Sequence, residues 1–198
     1  MAGKPFAESC EQNRAPILAV IEPWLREAGQ VLEIGSGTGQ HAVYFASAMP
    51  HLRWQTSDRA ALHPGIQAWI DESGNRNLAP PLALDVCHDR WPGEVYDAAF
   101  SANTAHIMDR QAVEAMFAGL GRVLAAGAPF LLYGPFNRNG GYTSESNRRF
   151  DQWLKARDPR SGIKDIGWLN ELAGRAGMEA AAEYPMPANN LILVWRAR

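Results

Sequence analysis

The sequence predicts an α/β chain, a three-layer αβα sandwich on a seven-stranded, mostly parallel sheet that ends in an antiparallel hairpin strand. Three observations carry that expectation. Short β-type runs alternate with helical stretches over residues 30–133, as βαβ units do. A glycine-rich turn follows the first of those runs. Two further β-type runs close the chain across a link, 185–190, that suits a hairpin and is too short for a crossover helix.

Taken in order, residues 13–28 read as a helix, with Pro16 near its first turn, where proline is tolerated, and Pro23 as a point of kinking. Residues 30–34 (QVLEI) form the first strand and 38–49 the helix after it. A second strand at 52–57 leads to a helical stretch at 66–72, and strands at 82–86 and 95–101 follow. Over 110–124 the residues Val113, Met116, Phe117 and Leu120 recur at helical spacing, and 129–133 is the fifth strand. The polar stretch 134–162 is too long for an ordinary connection and is expected to hold a helix at 146–157. A helix at 168–176 precedes the closing strands, 179–184 and 191–195. No segment repeats. One domain over 1–198 is expected, with an N-terminal cap and helix at 1–28 and a substrate-side insertion at 134–164.

Composition narrows the class without naming a chemistry. A hydrophobic fraction of 46% excludes a disordered or collagenous chain. The net charge of −2 gives no global field for nucleic acid or acidic lipid. Residues 138–164 hold the one local excess of cations, but no aromatics beyond Tyr142, Phe150 and Trp153 are there to stack bases, and core packing accounts for Phe150 and Trp153 more simply. A small-molecule partner is expected over a macromolecule, because a seven-stranded sheet with its helices leaves only the N-terminal segment and residues 134–164 to build a site; nucleic acid and membrane are not expected, and the oligomeric state is open. Cys10 and Cys87 are too few for a disulfide framework and are expected to be reduced thiols of a cytoplasmic protein. The N-terminus lacks an apolar run behind a basic start, and the longest apolar stretch, 130–133, is far short of a membrane span.

The chemistry concentrates at strand ends. Gly35, Ser36, Gly37, Thr38 and Gly39 follow the first strand, and alternate glycines there permit a sharp turn and close approach of a ligand to the backbone. A dinucleotide fingerprint would place its third glycine where Gln40 stands. Glu33, two residues before the first glycine, suits a ligand carrying an ammonium group better than a bare pyrophosphate. Asp58, with Arg59 beside it, ends the second strand, where a carboxylate accepts from two ribose hydroxyls; Asp85, at the end of the third, is placed for an adenine amino group. Each also suits a turn or helix cap when taken alone. Past the fourth strand, Asn103 and His106 are candidates for the reacting centre, with His106 either a proton acceptor or a structural histidine. Tyr133, Asn137 and Arg138 follow the fifth strand at the same edge. There Asn137 would orient a substrate and Arg138 hold an acidic group. Cys87, His88 and Asp89 have no partner pair at metal-ligand spacing, so no metal is expected.

With these residues in place, the chain resembles the class I S-adenosylmethionine-dependent methyltransferases, whose first motif is similar to VLEIGSGTG (31–39). Within that class NRAPIL (13–18), EIGSGTGQHAVYFA (33–46), LYGPFNRNGGYTSESNRRFDQWLKARDP (132–159), GIKDI (162–166) and MPANNLILVWR (186–196) resemble the methyltransferase-like 26 group, a domain family of unassigned substrate. The chain departs from it at Met108-Asp109, where the group carries a Pro-Trp-like pair. The resemblance implies a Rossmann-like sandwich that binds S-adenosyl-L-methionine. It implies that Gly35, Gly37 and Gly39 cradle the methionine part with Glu33 near the ammonium. Asp58 would hold the ribose, Asp85 and Val86 the adenine, and Ser101 and Asn103 would face the sulfonium. Residues 6–14, which lead into the first helix and carry polar Gln12, Asn13 and Arg14, are expected on their own account to close over the cofactor. A nicotinamide-dependent oxidoreductase and a non-catalytic cofactor-binding module are the alternatives.

Overall fold

Residues 4–198 are described by a computed structural model. The sheet forms from short aliphatic and aromatic runs: β1 (Gln30–Glu33), β2 (Arg53–Asp58), β3 (Leu78–Ala83), β4 (Ala98–Ala102), β5 (Pro129–Gly134), β8 (Met178–Met186) and β9 (Asn190–Ala197). Their order is β3-β2-β1-β4-β5-β9-β8, with β9 antiparallel to both neighbours and the remaining strands parallel. This is the expected seven-stranded Rossmann-like sheet with one reversed hairpin strand. A two-residue ladder, β6 (Phe136–Asn137) with β7 (Lys164–Asp165), stands apart from it.

Central strands are apolar on both faces, as a covered parallel sheet requires. Period-two alternation sends Val31, Phe100 and Leu131 to one face and Leu32, Ala99 and Phe130 to the other. On the first face pack α1 (Glu8–Leu25), α2 (Gln40–Ala48) and α3 (His63–Ser73); on the second pack α4 (Arg110–Val123) and α6 (Ile166–Arg175). The α4 stripe Val113, Met116, Phe117 and Leu120 is buried, and Asp109 caps this helix by accepting from Ala112 N at 2.8 Å. α5 (Glu145–Arg157) begins at Ser144, whose hydroxyl accepts from Asn147 N at 3.1 Å.

Two elements depart most from expectation. The third strand starts four residues early, at Leu78, runs through Pro80 and Pro81 and ends at Ala83, which leaves Asp85 two residues past it. It is an edge strand, so its missing N–H groups leave no ladder broken on the outer side. The first helix starts at Glu8, which puts both Pro16 and Pro23 in its interior. No helix among the described residues is long and apolar enough to cross a membrane, and both cysteines are free thiols.

Candidate active site

Strand order reverses between β1 and β4, and ligands of open α/β sheets bind beyond the carboxyl ends of the strands at such a point. Past β1 the backbone leaves β4 for β2: Ile34 N donates to Phe100 O, then Gly35 N and Ser36 N both donate to Ser57 O. The turn ends at Gly39, at φ 90, where an added Cβ would stand 3.1 Å from the Ile66 Cα; glycine is needed for α2 to pack against α3. Gly37 differs. Its φ is 59, yet an added Cβ would meet no atom within 4 Å, so the loop is open above it.

Acids placed around this loop are already hydrogen-bonded. Asp58 Oδ2 accepts from Gly37 N at 2.8 Å and Oδ1 from Arg59 N at 2.7 Å, tying the β2 end to the glycine turn. Glu33 is 2% exposed and accepts from Ser36 Oγ (2.7 Å) and Trp54 Nε1 (3.2 Å). Burial pushes its carboxyl up to about 7, against those two hydrogen bonds. Asp85 accepts from Cys87 N at 3.0 Å and pairs with exposed His88, and the Cys87 bond is the main cause holding its carboxyl below the usual range. Val86 is buried behind it. Ser101 takes a different part from the one expected. It is fully buried, donating to Ile34 O at 2.7 Å and lying 2.6 Å from Thr104 Oγ1, so it braces the turn and does not reach a ligand.

Gln40, read from sequence only as an absent glycine, clasps the N-terminal segment. Its side chain accepts from Ala7 N (2.7 Å) and donates to Glu11 (2.9 Å). Beside it His41 stacks on Phe45, its Nε2 2.7 Å from Asn13 Oδ1 and its Nδ1 3.9 Å from Cys10 Sγ. Residues 8–14 are thus the first turns of α1, docked on the start of α2.

Beyond β4 and β5 a cavity of about 920 Å³ opens. Asn103, His106 and Tyr133 line it from the sheet side, Asn13 from α1, and Phe150 and Trp153 from α5. Asn103 bends the chain at φ 59, its N–H donating to Tyr133 O at 3.0 Å; asparagine is among the few side chains that tolerate this region. His106 is 6% exposed, and among the described residues no group hydrogen-bonds its ring. Burial, with the Lys164 charge adding to it, pushes its pKa down to about 4, so the imidazole is neutral. Burial also raises the Tyr133 hydroxyl. Phe150 and Trp153, expected in the core, form the cavity wall instead, because α5 turns its apolar stripe toward an open space. Asn137 and Arg138 lie outside this lining. The Asn137 carboxamide oxygen is buried without a hydrogen-bond partner among the described residues, and Arg138, half exposed, pairs with Glu183 of β8.

Sequence reasoning missed two residues that shape the insertion. Asp151 is 1% exposed and accepts from Ile163 N, Tyr142 Oη and Lys155 Nζ at 2.7, 2.7 and 2.6 Å. Lys164 Nζ donates to Met108 O and Gly162 O, and burial pushes its pKa down to about 8. Helical spacing marked neither, since both are polar groups on a predominantly polar segment.

These groups set a pH dependence of stability. His41 and His106 have folded-state values of about 4, below the ordinary 6.5, so between those limits only the unfolded chain takes up their protons. Glu33, about 7 against an ordinary 4.5, keeps in the fold a proton that the unfolded chain releases. Two against one leaves about one net proton taken up on unfolding, so stability rises by about 1.4 kcal/mol per pH unit between about pH 5 and 6.5. In urea titrations His41→Gln is expected to flatten that slope and Glu33→Gln to double it roughly. Unchanged slopes in both variants contradict the assignment.

The fold is that of the class I S-adenosylmethionine-dependent methyltransferases. The chain is similar to mitomycin 7-O-methyltransferase MmcR (TM-score 0.84, 14% identity, covering 96% of this chain and 54% of that one). It is also similar to an O-methyltransferase family protein from Burkholderia thailandensis (TM-score 0.82, 13% identity, 92% and 55%). A third is NcsB1 of neocarzinostatin biosynthesis, solved with S-adenosylmethionine and 2-hydroxy-5-methyl naphthoic acid (TM-score 0.80, 16% identity, 96% and 55%). The chain spans about half the length of these structures, and at such identities the likeness is one of fold. By sequence it belongs to the family described as "Protein of unknown function (DUF938)", whose model matches residues 4–197.

Proposed function

We propose that the chain transfers a methyl group from S-adenosylmethionine to a hydroxyl of a small molecule held in the cavity beyond β4 and β5. The observation that carries this reading is an imidazole, His106, with no hydrogen-bond partner among the described residues, in a cavity beyond β4, the strand paired with the β1 end that leads into the open glycine turn. The turn fits the cofactor: the space above Gly37 is free, and carboxylates stand at the ends of β1 and β2. Gly35, Ser36, Gly37, Thr38 and Gly39 would hold the methionine part, Asp58 the ribose hydroxyls, and Asp85 with Val86 the adenine. When bound, the cofactor supplies an electrophilic methyl group on sulfur.

This chain's residues then position the acceptor. A ring nitrogen of His106 accepts the hydroxyl proton, and Asn103 and Tyr133 fix the oxygen's approach. The segment 134–164 serves as the acceptor side of a single domain, and the first turns of α1 as the cofactor's cover. Gln40 weighs against a nicotinamide enzyme, because its side chain holds α1 where that fingerprint has its third glycine. Methyl-labelled cofactor and a panel of hydroxylated aromatics test the reading. Label is expected in at least one of them, and His106→Gln is expected to lower kcat by about a hundredfold with little change in KM. Transfer by His106→Gln at the wild-type rate contradicts the role of His106, and cofactor binding without transfer to any acceptor favours a binding module.

A further inference from the structure

The segment 138–164 carries seven cations, and the structure engages six of them. Arg148 and Arg149 face Glu145 at 2.8 and 3.9 Å. Lys155 binds Asp151, Arg160 binds Asp158, Arg138 binds Glu183, and Lys164 is held by two carbonyls. Arg157 is the remaining one. Among the described residues it has no carboxylate partner; it borders the cavity, with its guanidinium 4.5 Å from the Trp153 ring centroid.

From Arg157 inward the aromatic groups are continuous. Trp153 stacks on Phe150 at 5.8 Å and 17°, and Phe150 meets His106 edge-on at 5.2 Å. Residues 150, 153 and 157 share one face of α5, so a single helix presents the whole row. Trp153 remains 51% exposed, a large apolar surface at the mouth of a cavity. The cavity volume lies near the upper end for small-molecule sites, more than one aromatic ring requires. Asp158 also borders the cavity, but both its oxygens accept from Arg160 at 3.2 Å.

We propose that the acceptor is an elongated, multi-ring aromatic hydroxy acid, its rings lying along Phe150 and Trp153, its carboxylate at Arg157 and its hydroxyl at His106. This rests on the methyl-transfer reading of the same site. Stacking supplies shape selection and the guanidinium fork selects the acid over a neutral analogue.

The test is calorimetric titration of the full chain, with and without S-adenosylhomocysteine, using a hydroxybiphenyl carboxylate with its two groups at opposite ends, and its methyl ester. The acid is expected to bind about tenfold more tightly than the ester. Arg157→Gln, an exposed substitution in the last turn of α5, is expected to abolish that preference while leaving ester affinity unchanged. Trp153→Ala is expected to weaken acid and ester alike by about tenfold. Equal binding of acid and ester by the wild type, or a preference that survives in Arg157→Gln, overturns the proposal. Failure to bind S-adenosylhomocysteine with the acid preference intact overturns the methyl-transfer reading and leaves the ligand class standing.

Discussion

Gly37→Ala is expected to leave the chain folded and to weaken cofactor binding by at least about a hundredfold. Its added methyl meets no protein atom within 4 Å, so the cost to the fold is backbone strain at φ 59, about 1–2 kcal/mol. For a chain of this length that lowers Tm by a few degrees at roughly 2–4 °C per kcal/mol. The methyl instead occupies the space assigned to the methionine part of the cofactor. Gly39→Ala provides the contrast. Its Cβ would lie 3.1 Å from the Ile66 Cα, so it is expected to destabilise the fold itself by pushing α3 away from α2. Thermal melts and cofactor titration of the two variants separate the roles. Wild-type affinity in Gly37→Ala contradicts the placement of the cofactor.

Asp151→Ala is expected to cost about 3 kcal/mol and to release the cavity wall. The carboxylate joins α5 to the insertion on both sides, through Tyr142 Oη before the helix and Ile163 N after it. Without it a buried backbone N–H loses its acceptor, while Lys155, half exposed, returns to water at little cost. Urea denaturation gives the energy. Hydrogen exchange over 141–165 gives the location, since faster exchange is expected there and not in β1 to β5. A loss below 1 kcal/mol, or protection unchanged across that segment, contradicts the hub role.

Much of this architecture is legible in the sequence, because alternation and helical spacing report burial. β4 and β5 are short apolar runs, and α4 shows its stripe at Val113, Met116, Phe117 and Leu120. The departures have physical causes. Pro80 and Pro81 read as a break in a strand, yet on an edge the outward side has no ladder to lose, and the inward side is accommodated by a register shift opposite Gln55–Ser57. Phe150 and Trp153 read as core because spacing shows that a helix face is apolar, not whether protein or open space lies against it. Gln40 was informative as a missing glycine, but its bonds to Ala7 and Glu11 join positions some thirty residues apart. Arg138 stands at the expected strand end outside the cavity lining and pairs with Glu183, on a strand no local pattern links to it. Of the positions expected to touch ligand, Asn103, His106 and Tyr133 do line one cavity, whereas Ser101 braces the turn beneath.

The central claim is that the glycine turn and the strand-end acids hold S-adenosylmethionine. Calorimetric titration of the full chain with S-adenosylhomocysteine tests it most directly. We expect one site per chain with a dissociation constant of roughly micromolar order, equivalent to about 8 kcal/mol, and marked weakening in Asp58→Ala. No heat at millimolar ligand, or equal affinity in wild type and Asp58→Ala, contradicts it.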